Sequence, residues 1–152
     1  MQIIHTNSFE ETQQAGQNLA RQILATKPAH HAVVLALRGD LGAGKTTFVQ
    51  GLAKGLGVKE VINSPTFVIM KRFALNISNF TNFYHLDLYR LEDKKDIEVL
   101  DLKKILADSK NIIAIEWPEK IQSFLPKNCI NINFIHRNSI SRSLKIDIER
   151  LQ

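Results

Sequence analysis

The chain has 152 residues, of which 44% are hydrophobic and 23% are charged, and its formal net charge is +5. This length and composition are typical of one globular domain, and they exclude a disordered chain. The sequence has a single cysteine, Cys129, and neither a long apolar run nor a basic-then-apolar leader. We therefore expect a single cytoplasmic domain over residues 1–152, with no internal disulfide and no membrane contact.

The hydrophobic pattern divides the chain into alternating strands and helices. In chain order it predicts a strand at residues 1–5, a helix after Ser8, a strand at 32–37, a helix at 45–56, strands at 67–73 and 83–87, a helix at 96–106, and strands at 111–116, 129–135 and 144–148. The continuous apolar runs at 32–37 and 111–116 are typical of buried parallel strands, whereas alternation in the last two strands is typical of antiparallel pairs. Ser8 and Glu11 have the spacing of a capping box, which opens a helix. The prediction is an α/β fold with a mixed sheet, parallel at its centre with antiparallel edge strands, and flanked by helices.

Residues 39–46 lie between a predicted strand and a predicted helix and read Gly-Asp-Leu-Gly-Ala-Gly-Lys-Thr. They match the Gly-x4-Gly-Lys-Thr pattern of a phosphate-binding loop (P-loop) in full, so a P-loop NTPase-like fold is predicted. Glycines let backbone N–H groups approach phosphates, and the next helix adds the positive end of its dipole. We expect Lys45 to reach the β- and γ-phosphates, Thr46 to bind Mg²⁺ and Thr47 to contact the α-phosphate. The candidate nucleotide-binding residues of the loop are Gly39, Asp40, Leu41, Gly42, Ala43, Gly44, Lys45, Thr46 and Thr47.

Two carboxylates stand at the ends of predicted strands and are candidates for catalysis and metal binding. Asp87 ends the strand at 83–87, and Glu116 ends the strand at 111–116. Open α/β sheets bind ligands beyond the carboxyl ends of their strands, so both side chains are placed to face Mg²⁺. Glu116 is also a candidate to orient the attacking water. The alternatives are that Asp87 caps a helix or pairs with Arg90, and that Glu116 forms a surface salt bridge.

The P-loop alone does not define the reaction. The guanine-reading sequence Asn-Lys-x-Asp is absent, and the arginines are scattered rather than gathered into the substrate site or lid of a small-molecule kinase. A compact ATPase fits these features best. A small-molecule P-loop kinase and a nucleotide-gated binding module with negligible turnover stay open as alternatives.

Four segments in a fixed order carry a resemblance to a known family. They are Leu41–Phe48 in the P-loop, Ser64–Phe67 after the next helix, His85–Leu91 after a strand, and Ile115–Glu119 at the end of the second apolar strand. With these segments the chain resembles, over residues 4–148, the TsaE (YjeE-like) ATPases of bacteria. Those proteins serve the pathway that places threonylcarbamoyl on the tRNA adenosine next to the anticodon. The departures from the family pattern are Phe73 where a Tyr is usual, a longer loop at 76–82, and a loosely matching acidic helix start at 97–100.

The resemblance implies cofactors, partners and catalytic residues. ATP and Mg²⁺ are the implied cofactors. Hydrolysis would support the TsaB–TsaD enzyme pair, so that tRNA is an indirect partner, and a direct contact with tRNA stays open. The implied catalytic residues are Lys45, Thr66, Asp87 and Glu116, with Thr66 as a switch residue that senses the γ-phosphate. The implied metal ligands are Thr46, Asp87 and Glu116.

The resemblance also implies an adenosine site. Thr6, Ser8 and Arg142 flank the base in the family pattern, and Trp117 packs near the nucleotide or the switch. The alternatives are ordinary structural roles: a helix cap for Ser8 or Thr66, a surface charge for Arg142, and a core position for Trp117.

Overall fold

The computed structural model describes residues 1–27, 29–63, 68–77, 79–93, 95–98 and 100–151. The strands are β1 (Gln2–Thr6), β2 (Val33–Arg38), β3 (Met70–Ala74), β4 (Asn82–Asp87), β5 (Asn111–Glu116), β6 (Ile130–His136) and β7 (Arg142–Ile146). The helices are α1 (Phe9–Ala25), α2 (Lys45–Gly55), α3 (Lys95–Glu98) and α4 (Leu102–Ala107), with 3₁₀ segments at Pro118–Phe124 and Ile148–Leu151. The seven strands of the described part of the chain form one sheet in the order β1-β7-β6-β2-β5-β4-β3.

The sheet is parallel at its centre and antiparallel at both edges, which confirms the predicted fold class. β2 is parallel to β5 and β6, and β4 is parallel to β5. β7 is antiparallel to β1 and β6, and β3 is antiparallel to β4. One face packs against α1 and α2, and the other packs against α3, α4 and the first 3₁₀ segment. The two central strands, β2 and β5, are therefore buried on both faces.

Three predicted strands differ from the observed ones in extent or pairing. The strand predicted at 67–73 begins at Met70, where pairing with Leu86 of β4 begins, and residue 67 lies outside the described residues. The strand predicted at 144–148 is β7, which ends two residues earlier because the chain turns into a 3₁₀ segment. β6 is antiparallel to β7 but parallel to β2. The alternation of apolar and polar residues therefore predicted the half-exposed character of β6 and its antiparallel partner, but not its parallel partner.

The single helix predicted at 96–106 is wrong, because the chain forms the two short helices α3 and α4 there. The break lies at Asp101, whose φ of 50° and ψ of 34° are left-handed. Ile97 and Leu102 are five residues apart, about 140° around a continuous helix, so one helix cannot point both at the sheet. The break allows both side chains to be buried in one apolar cluster. No helix within the described ranges has the length and apolar character needed to cross a bilayer.

The start of α1 agrees with the predicted cap in one of its two hydrogen bonds. The Ser8 hydroxyl accepts a hydrogen bond from the Glu11 N–H at 3.0 Å. The Glu11 carboxylate accepts from the Asn7 N–H at 2.7 Å, one residue before the position that a capping box uses. Ser8 is therefore the N-cap of α1.

Helices α1 and α2 approach each other closely because glycines lie where they meet. A Cβ on Gly51 would overlap the Gln13 carbonyl oxygen, and a Cβ on Gly16 would overlap the Phe48 carbonyl oxygen. The obstacle is backbone in both cases, so rotation of a side chain cannot relieve it. This close packing fixes α2, whose N-terminus carries the P-loop, against α1 and the sheet.

We expect Gly51→Ala to lower the free energy of unfolding by about 1–3 kcal/mol, the usual cost of overpacking. Alanine has the higher helix propensity, by about 1 kcal/mol, so the loss would come from steric overlap with α1 and not from the helix itself. Urea denaturation measures the change. Lys54→Ala, at an exposed position of the same helix, is the matched control and is expected to stay within about 0.5 kcal/mol of the wild type. A Gly51→Ala protein as stable as the wild type would contradict the close approach.

Candidate nucleotide-binding site

A cavity of about 640 Å³ lies where the carboxyl ends of β4 and β5 meet the N-terminus of α2. Its lining includes P-loop residues 41–47, the strand-end carboxylates Asp87 and Glu116, the aromatic residues Tyr89 and Trp117, and Phe9, Arg90, Ser139 and Arg142. The volume is that of a typical small-molecule site. β4 and β5 are parallel with Asp87 paired to Glu116, which explains why both carboxylates reach the same cavity.

The P-loop has a backbone conformation that favours glycine. Gly44, the residue before α2, has a φ of 96°, and Gly42 has a φ of 77°. A side chain at Gly44 would also collide with the Arg142 guanidinium. Gly44, the N-cap residue of α2, has no side chain that could cap the first N–H groups of the helix. These N–H groups and the positive end of the helix dipole are therefore available to an anion in the cavity.

Lys45 lies at the bottom of the loop and is nearly buried, with 4% of its surface exposed. Its Nζ donates to the carbonyl oxygens of Gly39 at 2.6 Å and Asp40 at 2.9 Å, and it lies 4.2 Å from the centre of the Trp117 ring. Burial lowers the pKa of Lys45, while the nearby Glu116 and Asp87 carboxylates oppose that shift. A phosphate in the cavity would give this buried ammonium a direct counter-charge.

Thr46 and Glu116 are joined by hydrogen bonds across the cavity floor. The Thr46 hydroxyl donates to Oε1 of Glu116 at 2.9 Å and lies 3.2 Å from Oε2. Glu116 is 3% exposed and also accepts from Nε2 of His85 at 2.8 Å. Glu116 is therefore not the surface carboxylate of the alternative interpretation, because the buried His85 and the half-buried Thr46 hold it beside the P-loop.

Asp87 lines the same cavity beside Glu116. Its Oδ1 accepts a hydrogen bond from the Tyr89 N–H at 3.1 Å, which places the carboxylate in a tight turn after β4. Thr46, Asp87 and Glu116 together offer a hydroxyl and two carboxylates, the hard oxygen donors that Mg²⁺ prefers. Within the described ranges no group of three or more His, Cys, Asp or Glu side chains forms a metal site. A Mg²⁺ site built from one or two carboxylates and the phosphates of a nucleotide does not need such a group.

The predicted adenosine residues are only partly brought to the cavity. Arg142 lines it, with Nε donating to the Ala43 carbonyl oxygen at 3.0 Å and with Cζ 5.1 Å from the centre of the Phe9 ring. Thr6 is buried and hydrogen-bonded to Thr12, and Ser8 caps α1. Neither Thr6 nor Ser8 belongs to the cavity lining.

Sequence reasoning missed Phe9 and the part that His85 plays. Phe9 is 55% exposed at the start of α1 and presents a flat apolar surface to the cavity. The available signal is an aromatic residue directly after the helix cap Ser8. The strand pattern places His85 in β4 without showing which side chain it contacts. Thr66, the predicted switch residue, lies outside the described residues.

A mixed sheet with a parallel centre, a glycine-rich loop after β2, and a helix whose N-terminus faces two strand-end carboxylates define a P-loop nucleotide-binding fold. The family model described as "Threonylcarbamoyl adenosine biosynthesis protein TsaE" matches residues 6–144. The chain belongs to the TsaE family, which confirms the resemblance found in the sequence.

Individual relatives agree with this assignment. The chain is 41% identical over 99 residues to the tRNA threonylcarbamoyladenosine biosynthesis protein TsaE of Bacillus subtilis, a match that covers 65% of this chain and 59% of that protein. It is 35% identical over 134 residues to the protein of the same name from Rickettsia bellii, with 88% of each chain covered. The crystal structure of Bacillus subtilis YdiB superposes with a TM-score of 0.72 at 27% identity, covering 95% of this chain and 83% of that one.

Proposed function

We propose that this chain is a Mg²⁺-dependent ATPase that supports the transfer of threonylcarbamoyl to the tRNA adenosine next to the anticodon. The observation that carries the proposal is the meeting of Lys45, Thr46 and Glu116 in one cavity at the N-terminus of α2. Family membership supports the pathway, because the relatives are named for threonylcarbamoyladenosine biosynthesis. This role places the chain in the cytoplasm.

Nucleotide binding uses both ends of the cavity. The N–H groups of the P-loop and the ammonium of Lys45 hold the phosphates. Phe9 and Arg142 are placed to hold the base, since an aromatic face and a guanidinium plane both stack on purines. Arg142 also fixes the loop through its bond to the Ala43 carbonyl. One side chain would thus link the base end of the site to the phosphate end.

Hydrolysis uses the carboxyl ends of β4 and β5. Thr46, Glu116 and Asp87 would hold Mg²⁺, which when bound neutralises charge on the phosphates. Glu116, the most deeply buried of the three, would also orient the attacking water. Thr66 stays the candidate that senses the γ-phosphate.

The proposed partners, TsaB and TsaD, are expected to complete the site. An arginine that stabilises the transition state is worth about 10³–10⁵ in rate in P-loop NTPases. Arg90, which lines the cavity, is the weak internal candidate for this role, because Arg142 is already bound to the carbonyl oxygens of Ala43 and Ile140. Activity would then depend on charge or loop order supplied by the partners.

We expect the chain alone to hydrolyse ATP slowly and the TsaB–TsaD pair to raise the rate by about 10³-fold or more. Phosphate release measured for the chain, the partners and the mixture gives the result, and the partners without the chain are the control. Consumption of ATP in proportion to an added small-molecule acceptor would instead identify a kinase. ATP binding without cleavage, with and without the partners, would identify a nucleotide-gated binding module.

A further inference from the structure

His85 is a buried polar residue whose position is explained by the carboxylate next to it. It lies in β4, is 1% exposed, and places Nε2 at 2.8 Å from Oε1 of Glu116. In the parallel register His85 pairs with Ala114 and Asp87 pairs with Glu116, so all four side chains share one sheet face. The small side chain of Ala114 leaves room for the imidazole to lean along the sheet towards Glu116.

The hydrogen bonds distinguish the two oxygens of Glu116. Oε1 accepts from both His85 and Thr46, at 2.8 Å and 2.9 Å, whereas within the described part of the chain Oε2 has only the longer 3.2 Å contact with Thr46. Because an oxygen with two donors has little room for a further ligand, Oε2 is the atom of Glu116 that is available to the cavity. The side chain of His85 therefore decides which oxygen Glu116 presents.

The surroundings of the two ring nitrogens of His85 indicate which of them carries the proton. An ionised carboxylate only accepts hydrogen bonds, so the proton of the bond belongs to Nε2. Nδ1 is buried and has no hydrogen-bond partner among the described residues. A bare lone pair in that position costs less than an unpaired N–H, so the Nε2–H form fits the surroundings. Such a donor orients the carboxylate through a single N–H.

We propose that His85 is a positioning residue for the nucleotide site: it holds Oε1 of Glu116 so that Oε2 faces Mg²⁺ and the phosphates. The inference rests on the proposed function, because it assigns Glu116 to the metal. Groups that orient a metal ligand commonly contribute about 10–100-fold to metal affinity. An arginine or lysine in place of His85 would hold the same oxygen but would repel the cation.

The test compares His85→Leu, which has no donor, with His85→Gln, which keeps an N–H near the position of Nε2. Calorimetric titration with ADP, once in EDTA and once in Mg²⁺, gives two affinities whose ratio is the metal contribution. We expect His85→Leu to keep the EDTA affinity within about twofold and to lower the ratio by about tenfold or more. His85→Gln should restore most of the ratio. His5→Leu, at an exposed position of β1, is the control and should change neither affinity.

The outcomes separate the positioning role from the proposed function. An unchanged ratio in His85→Leu, or an equal loss in the Leu and Gln variants, would overturn the role of His85. A wild-type affinity that is the same in EDTA and in Mg²⁺ would instead contradict the Mg²⁺-dependent function. A further readout needs no nucleotide and no Leu variant: ¹⁵N NMR of the wild-type imidazoles, with His85 assigned by its absence in His85→Gln. We expect the Nε2–H tautomer, and the Nδ1–H tautomer would overturn the bond to Glu116.

Discussion

Replacement of Lys45 by alanine is expected to lower the affinity for ATP by at least about tenfold and to abolish partner-stimulated hydrolysis. The charge-assisted hydrogen bonds that an ammonium makes to phosphate are worth about 1.5–3 kcal/mol each, and about 1.4 kcal/mol already corresponds to tenfold in affinity. Lys45 would hold the phosphates in both the ground state and the transition state, so binding and turnover should fall together. Calorimetry with ATP and a phosphate-release assay measure the two effects.

A second lysine of α2 provides the control for this change. Lys54 lies on the exposed surface of the same helix, so Lys54→Ala removes an equal charge without touching the cavity. Its affinity for ATP should match that of the wild type. Urea denaturation of both variants checks that each is folded. Equal ATP affinities for Lys45→Ala and the wild type would contradict the assignment of the P-loop to the ATP-binding site.

The parts of the site that could be predicted follow from contiguous sequence patterns or from a general rule of parallel sheets. The P-loop is a contiguous pattern, and its strand–loop–helix context is visible in the hydrophobic runs on either side. The two carboxylates could be placed at one sheet edge because parallel strands put their carboxyl ends together, and the register between Asp87 and Glu116 agrees. The fold class follows from the same runs, since continuous apolar strands occur in buried parallel sheets.

The parts that could not be predicted depend on tertiary packing. The contact between His85 and Glu116 joins residues 31 positions apart and needs the register of β4 and β5 together with the small Ala114. The helix breaks at Asp101 because Ile97 and Leu102 both pack into the same apolar cluster. Burial of these two side chains outweighs the helix propensity of the segment. The buried Thr6 hydroxyl is satisfied by a hydrogen bond with the Thr12 hydroxyl. No spacing in the sequence indicates this pair.

Glu116→Gln is expected to leave the nucleotide affinity in EDTA nearly unchanged and to lower partner-stimulated hydrolysis by about 10²-fold or more, the usual contribution of a group positioned on the reacting water. Glutamine keeps the size of the side chain and can still accept the hydrogen bonds from His85 and Thr46, so the cavity should keep its shape. What it loses is the negative charge that would act on Mg²⁺ and on the attacking water. The loss should therefore appear in the Mg²⁺ contribution to binding and, more strongly, in the rate of hydrolysis.

Asp87→Asn is the comparison that separates the two carboxylates. It removes a charge from the neighbouring strand while keeping an oxygen that accepts from the Tyr89 N–H. We expect it to raise the Mg²⁺ concentration needed for tight nucleotide binding while the affinity in EDTA stays the same. Magnesium titrations of binding and of single-turnover hydrolysis, run with the partners present, measure both variants. Hydrolysis at the wild-type rate by Glu116→Gln would contradict the catalytic role of Glu116. The glutamine still accepts the hydrogen bonds from Thr46 and His85, so the role of Glu116 would then be structural and would not need its charge.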